Sequence, residues 1–439
     1  MLDGWWRGER AGSGMIVWES GRLLAEGEIV YEEFLARICS SAPSLGHCNT
    51  MGTASTMNAL TEALGMMLPG TGNIPAPWRA RMEASYDTGK RIVEMAHEDL
   101  TPSKIITKEA LHNVIRVNTA IGGSTNAPIH FAAIGRHAGV EIDITEWQEI
   151  GFDLPLLVNM QPAGFYLGED YQRAGATAAV MGEMLASGML DGSPLRVSGK
   201  TVAEDYADVR SENHDVIKTP AAPMREKAGF VVISGNLFDS ALMKTSVISA
   251  QFQEKFLSRP GSEGVCEARA IVFEGPEDYH DRINDPSLEI DENCMLFIRG
   301  VGPIGYPGGA EVVNMQPPDA LIAAGIQHMP TIGDGRQSGT SESPSILNAS
   351  PEAAIGGGLA FLQTNDMVRL DVVNGTMNAL VPTEKWQARK DAWEAPKLEH
   401  QTPWQELQRA HVGHFSDGGC LEFATRYRRT SEALPRDNH

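Results

Sequence analysis

Residues 299–354 read RGVGPIGYPGGAEVVNMQPPDALIAAGIQHMPTIGDGRQSGTSESPSILNASPEAA. The stretch holds two glycine-rich loops. Each follows a short apolar run with strand character, CMLFIR at 294–299 and HMPTI at 328–332. Each loop carries one polar residue able to do chemistry, Glu311 in the first and Ser338 in the second. Glycine lets backbone approach a ligand closely and adopt positive φ. NASPE at 348–352 has the pattern of a helix start, a cap residue followed by proline at the first helical position. The positive end of such a helix stabilises an anion.

Around this stretch the sequence is rich in short β-like runs, at 230–234, 246–252, 268–273, 295–298 and 329–332. Residues 368–372 alternate apolar and polar, Asn374-Gly375 follows, and 377–381 alternate again. Asn-Gly between alternating runs predicts a hairpin. Upstream the character is helical. Apolar residues at helical spacing predict helices over 28–38, 57–68, 79–97, 108–117 and 171–190. The turn IGGSTN at 121–126 opens another that reaches about residue 136. Thr145 with Gln148, and Thr201 with Glu204, have capping-box spacing. The fold class expected is α/β plus β, a helix-rich N-terminal α/β domain followed by a C-terminal β-barrel-like domain. The boundaries fall at 1–195 for the first domain, 196–225 for a linker, 226–395 for the barrel and 396–439 for a C-terminal extension.

At 439 residues and 42% hydrophobic, the chain supports more than one full core. A net charge of −21 argues against nucleic acid or an anionic membrane as partner. The basic cluster at 426–429 reads as a solvated tail. Five cysteines at wide spacings, with no CxxC, do not form a secreted disulfide framework and fit a reducing cytoplasm. No apolar run reaches the ~18–20 residues that span a bilayer.

Several constellations carry competing readings. Gly300-x-Gly302-x-x-Gly305 follows a strand, but Pro303 and Pro307 oppose the helix a dinucleotide site requires. His411-x-x-His414 with Cys420 lacks an evident fourth ligand. Cys48 lies on a small, polar approach to a helix N-terminus, a setting for a metal-bound thiolate or for an inert buried cysteine. Glu311, behind Gly308-Gly309, suits a hard cation such as Mg²⁺ or a solvated loop. Ser338 is a nucleophile, a base or a turn residue.

Taken together, GHCNTMGTASTMNALTEALGMMLPG (46–70), IGGSTNAPIH (121–130), GPIGYPGGAEVVNM (302–315) and GDGRQSGTSESPSILNASPEAA (333–354) resemble the dihydroxy-acid/sugar-acid dehydratases. CNTMGTASTM and GRQSGTS most resemble the pentonate (L-arabinonate/D-xylonate) branch; the amino-acid branch usually has Phe where this chain has Gln337. The resemblance implies removal of water from a 2,3-dihydroxy acid to leave a 2-keto-3-deoxy acid. It implies a [2Fe–2S] cluster acting on the leaving hydroxyl and Mg²⁺ holding the carboxylate and 2-hydroxyl. By motif position Cys48 corresponds to a cluster ligand, Glu311 to a Mg²⁺ ligand and Ser338 to the base. A homodimer or dimer of dimers is implied as well.

The resemblance also implies a truncated member with an incomplete N-terminal domain. The family's Cys-Asp-Lys motif is not found, and Cys39 is not at a matching position. One cysteine does not supply the usual ligand set of a [2Fe–2S] cluster, so impaired turnover by this chain is expected. Glu342, near Ser338 in sequence, would oppose an alkoxide by like charge. The alternatives are the dihydroxy-acid dehydratase of branched-chain amino-acid synthesis, or a non-catalytic relative that binds sugar acids or oligomerises.

Overall fold

The computed structural model describes residues 1–246, 258, 263–326, 328–337 and 345–427. Ser338 and Glu342 lie outside the described residues, as do most of the 246–252 run and the end of the basic cluster.

The first half is a pack of helices. After a two-residue hairpin, β1 (Trp5–Trp6) and β2 (Glu9–Arg10), come α1 (Met15–Ala25), α2 (Tyr31–Ser40), α3 (Thr53–Ala63), α4 (Arg79–His97), α5 (Pro102–Ile105), α6 (Lys108–Ile121) and α7 (Ala127–Ala138). Four more helices come next, at Glu146–Gly151, Gly168–Arg173, Ala176–Ala186 and Val202–Tyr206. α6 is the centre. Ala110, Leu111, Val114, Ile115, Val117 and Ala120 are fully buried, while Lys108, Glu109, His112 and Arg116 keep a partly exposed polar face, so the helix lays a wide apolar stripe into the core. Its polar residue Asn113 is satisfied by a two-way pair with the backbone of Asp191, donating at 2.7 Å and accepting at 3.0 Å. Extended segments in this half pair only as the β1–β2 hairpin and as isolated bridges among the described residues, so its sheet content is slight.

The second half is an eight-stranded mixed sheet. Its strands are β3 (Phe230–Ile233), β4 (Ser240–Lys244), β5 (Val265–Phe273), β6 (Cys294–Ile298), β7 (Thr331–Gly333), β8 (Ser345–Ser350), β9 (Met367–Asp371) and β10 (Thr376–Ala379). The order is β10-β9-β5-β6-β7-β8-β4-β3, with β5 to β8 running parallel. The two edge strands approach each other through a bridge between Ser234 and Thr376, so the sheet is nearly closed. All eight strands share one core, from Val231, Met243, Ala268, Phe297, Ile332 and Ile346 to Leu370 and Met377. The alternate residues Ile271, Phe273, Leu296 and Ile298 pack in a second core on the other face. Side chains of a strand alternate between faces, and parallel strands covered on both faces read as continuous apolar runs. That is why CMLFI is apolar throughout.

Several expectations need correction. Residues 348–350, the first part of the helix start expected at 348–352, belong to β8 (Ser345–Ser350), which is buried at every position. Beyond Pro351 the chain makes two short 3-10 turns, at Ala353–Ile355 and Gly358–Phe361, so the anion-stabilising α-helix end is not there. The segment 171–190 is two helices, broken at Gly175. α3 stops at Ala63 rather than near residue 68. Thr145 makes no side-chain cap, whereas the Thr201–Glu204 capping box is formed. The predicted hairpin exists as β9–β10 with Asp371 opposite Thr376, so its loop spans four residues rather than two. Trp386 and Trp393 meet Phe361 edge-on, while Trp404 is exposed.

Candidate active site

Glu311 is where the two halves meet. Its loop comes after β6, and that loop is held by two buried carboxylates. Asp334, just after β7, accepts the backbone N–H groups of Gly300 and Val301 at 3.0 Å each and of Ala353 at 2.8 Å. It therefore ties together the chain leaving β6, β7 and β8. Glu352 accepts the N–H groups of Ile304 and Gly305 at 2.8 Å each. Burial pushes both carboxyls up against the pull of those donors, Glu352 to about 7. Gly302 faces Glu352 so closely that a Cβ there would lie 2.6 Å from the carboxyl. The glycines of this loop thus serve a carboxylate-anchored turn, not a dinucleotide, and the next helix begins only at Asp319.

The helical half supplies the other wall. α6 ends at Gly122, which takes the left-handed conformation at φ +63, a position that favours glycine. The turn Gly123–Asn126 then leads into α7. The Nδ2 of Asn126 lies 2.5 Å from Glu311 Oε1, 2.8 Å from Thr53 Oγ1 and 3.1 Å from the carbonyl oxygen of Gln337. Thr53, the first residue of α3, donates to Glu311 Oε1 at 3.1 Å. Ser124 accepts or donates to Thr53 Oγ1 at 3.1 Å, and its N–H reaches Thr56 Oγ1 at 3.1 Å. The N-termini of α3 and α7 thus converge on one carboxylate, and their partial positive charge favours it. Gln337 is fixed from its side chain, whose Nε2 donates to the Val313 carbonyl at 3.0 Å.

His130 sits one turn into α7 and is half-buried. Burial, then the positive charge of Arg336, hold its imidazole below the usual histidine range, with Glu311 opposing. Arg336 itself is held by Nε donating to the Gly309 carbonyl.

Cys48 lies on the segment that enters α3, and it is exposed, so the reading of an inert buried thiol is set aside. Its carbonyl accepts from Ser55 Oγ at 3.1 Å and lies 2.8 Å from His47 Nδ1. Cys266, Cys294 and Cys420 are buried and Cys39 is exposed, and none of them is in a disulfide. His411 and His414 are joined to nothing that makes a metal group: among the described residues no three His, Cys, Asp or Glu side chains gather in such an arrangement.

The two expected cofactors fare differently. Oxygen donors cluster at Glu311: its Oε1, Thr53 Oγ1 and the Gln337 carbonyl all lie within bonding distance of Asn126 Nδ2. Asn126 Oδ1 is buried with no partner among the described residues. Hard cations take oxygen ligands, and Mg²⁺ commonly uses one or two carboxylates and completes its shell with water and substrate. The residues fit such an ion. An iron–sulfur cluster needs several thiolates. The described residues around Cys48 offer no such set, and they do not by themselves fit a cluster.

Sequence motifs pointed to Glu311 and to the turn ending in Asn126. His130 and Asn348 stood inside quoted motifs without a role being read for them, and Lys244 stood outside every motif. Asn348 donates from Nδ2 to the Thr125 carbonyl at 3.1 Å, and Lys244 donates from Nζ to the Gly122 carbonyl at 2.8 Å. Asn348 was hidden inside an apparent helix cap, and Lys244 belongs to no motif.

A family model described as dihydroxy-acid/6-phosphogluconate dehydratase N-terminal matches residues 4–205, and its C-terminal counterpart matches residues 215–419. The chain is 56% identical over 439 residues to D-xylonate dehydratase of Caulobacter vibrioides, covering 100% of this chain and 74% of that protein. It is 40% identical over 440 residues to L-arabinonate dehydratase of Rhizobium leguminosarum bv. trifolii, again covering 100% and 74%. To a dihydroxy-acid dehydratase of Caldanaerobacter subterraneus it is 35% identical over 383 residues, covering 87% and 66%. No helix among the described residues is long and apolar enough to cross a membrane.

Proposed function

The chain belongs to the dihydroxy-acid/6-phosphogluconate dehydratase family, and from that premise we propose that it dehydrates a five-carbon sugar acid of the D-xylonate or L-arabinonate kind. It is a hydro-lyase of the pentonate branch. The reaction takes a proton from C2 and releases the C3 hydroxyl as water. The resulting enol tautomerises to the 2-keto-3-deoxy acid.

The observation that carries the reading is the convergence on Glu311. A carboxylate is held by Thr53 and Asn126 at the mouths of two helices, in a loop anchored by Asp334 and Glu352. Bound there, Mg²⁺ would hold the carboxylate and 2-hydroxyl of the sugar acid and so acidify the C2 proton. Glu311 supplies the anionic ligand, Thr53 fixes its Oε1, and Asn126 joins that oxygen to the Gln337 carbonyl.

The base we assign is Ser338. Its support is its motif position, directly after Gln337 in sequence, whose carbonyl accepts from Asn126. A serine hydroxyl becomes a competent base where a cation or a strong local field lowers its pKa. Cys48 is assigned as a thiolate ligand on its motif position and its exposure. No step is drawn through a cluster, because the described residues do not form one. Domain limits near 195 and 226 and a homo-oligomeric state belong to the same proposal.

The test is chemical. Protein treated with iron, sulfide and Mg²⁺ is incubated with D-xylonate or L-arabinonate, and product is monitored by NMR. Binding of either acid is the expected result, with turnover impaired and a 2-keto-3-deoxy pentonate as the product of whatever turnover remains. Failure both to bind and to convert either acid contradicts the reading.

A further inference from the structure

Lys244 ends β4 and is buried at 6% exposure. Its ammonium donates to the carbonyl of Gly122 at 2.8 Å. Among the described residues no carboxylate pairs with it, and burial pushes its pKa down to about 7. Burying an unpaired ammonium is costly, and an apolar side chain of the same length would pack there without that cost. The position therefore calls for a reason beyond packing.

The neighbouring strand supplies the second half of the pattern. Asn348 on β8 donates to the carbonyl of Thr125 at 3.1 Å. It does so from the left-handed backbone conformation, at φ +61. Such a conformation is uncommon for a residue with a side chain, and it clusters at functional sites. Two adjacent strands of the sheet thus hold the first and fourth carbonyls of one turn, Gly122 to Thr125. The next residue is Asn126, whose amide lies against Glu311.

We propose that Lys244 and Asn348 are positioning residues that lock the 122–126 turn onto the sheet, and through Asn126 set the affinity of the Glu311 site for a divalent cation. The inference rests on the reading of Glu311 as a cation ligand. Lys244 acts here through its hydrogen bond rather than its charge. A positive charge near a cation site weakens binding by repulsion, so a purely electrostatic role and a positioning role predict opposite signs when Lys244 is neutralised.

The experiment is a titration of the full chain with Mn²⁺, free ion being monitored by electron paramagnetic resonance, for wild type, Lys244→Met, Asn348→Gly and Glu311→Gln. Glycine at 348 tolerates the backbone conformation and removes only the amide. Thermal unfolding of each variant is measured alongside. Residues that orient metal ligands typically change affinity by about 10–100-fold. We expect Lys244→Met and Asn348→Gly to weaken Mn²⁺ by that order, with Lys244→Met unfolding at or above the wild-type temperature. Affinity unchanged or tighter in both variants, with Glu311→Gln weakened, overturns the inference and leaves the Glu311 reading standing. Wild-type affinity in Glu311→Gln overturns both.

Discussion

The side-chain amide of Asn126 lies 2.5 Å from the Glu311 carboxylate, joining positions 185 residues apart across the two halves of the molecule. Asn126 comes from the turn that ends α6, and Glu311 from the loop after β6. Neither half holds the carboxylate alone, so the site exists only when both have folded and docked.

Replacing Asn126 with aspartate tests that bond. The substitution keeps the size and removes the donor, and it sets two carboxylates in contact. Like charges at that distance oppose each other's ionisation. Asn126→Asp is expected to lose turnover, because the donor that fixes Glu311 Oε1 is gone; a shared proton restores the bond, so any residual activity should move to lower pH. A pH–rate profile checks the direction.

Asp334 is a structural anchor with three backbone donors. Asn in its place presents one acceptor oxygen and an NH₂ group against N–H donors. Leaving buried donors unpaired costs about 1–3 kcal/mol each. Asp334→Asn should therefore lower the unfolding free energy by about 2–4 kcal/mol in urea denaturation. It should also loosen the loop that carries Glu311.

Two buried groups give opposite pH signatures. Lys244 is depressed from 10.5 to about 7. The folded state prefers it neutral, so its stability contribution is present above pH 10.5 and is lost as pH falls through about 7. Glu352 is raised from 4.5 to about 7. Its contribution is full below pH 4.5 and is lost as pH rises through about 7. Relative to wild type, Lys244→Met should thus gain stability as pH falls from 10 to 7. Glu352→Gln should gain as pH rises from 4.5 to 7. Each difference should be on the order of 1–3 kcal/mol, read from denaturant midpoints across the pH range.

Ser338→Ala separates chemistry from binding. If Ser338 takes the C2 proton, the variant loses turnover by a factor on the order of 10³ or more, while Mn²⁺ affinity stays at the wild-type value. Loss of Mn²⁺ binding instead would move Ser338 from the role of base to that of ligand.

The sequence was most legible where burial is two-sided or the pattern is local. CMLFI could be read as a strand because both of its faces are covered. The β9–β10 hairpin could be read from alternation and Asn-Gly, although the loop is longer than that dipeptide suggests, because Asp371 accepts two bonds from Asn374 at 2.8 and 2.9 Å. Residues 348–350 were misread because Asn and Ser-Pro are local helix signals, whereas the outcome was decided by the pairing of β8 with β4 and β7. Glu311 stood out by its glycine setting. Lys244 did not, since a lysine closing an ordinary strand gains its meaning from a carbonyl 122 positions away.

The most direct test of the site is calorimetric titration of D-xylonate into the protein with and without Mg²⁺, for wild type and Glu311→Gln. Saturable binding that requires Mg²⁺ in wild type and is lost in Glu311→Gln is the result expected. D-Xylonate binding that is indifferent to Mg²⁺ and unchanged in Glu311→Gln would contradict a site built on Glu311.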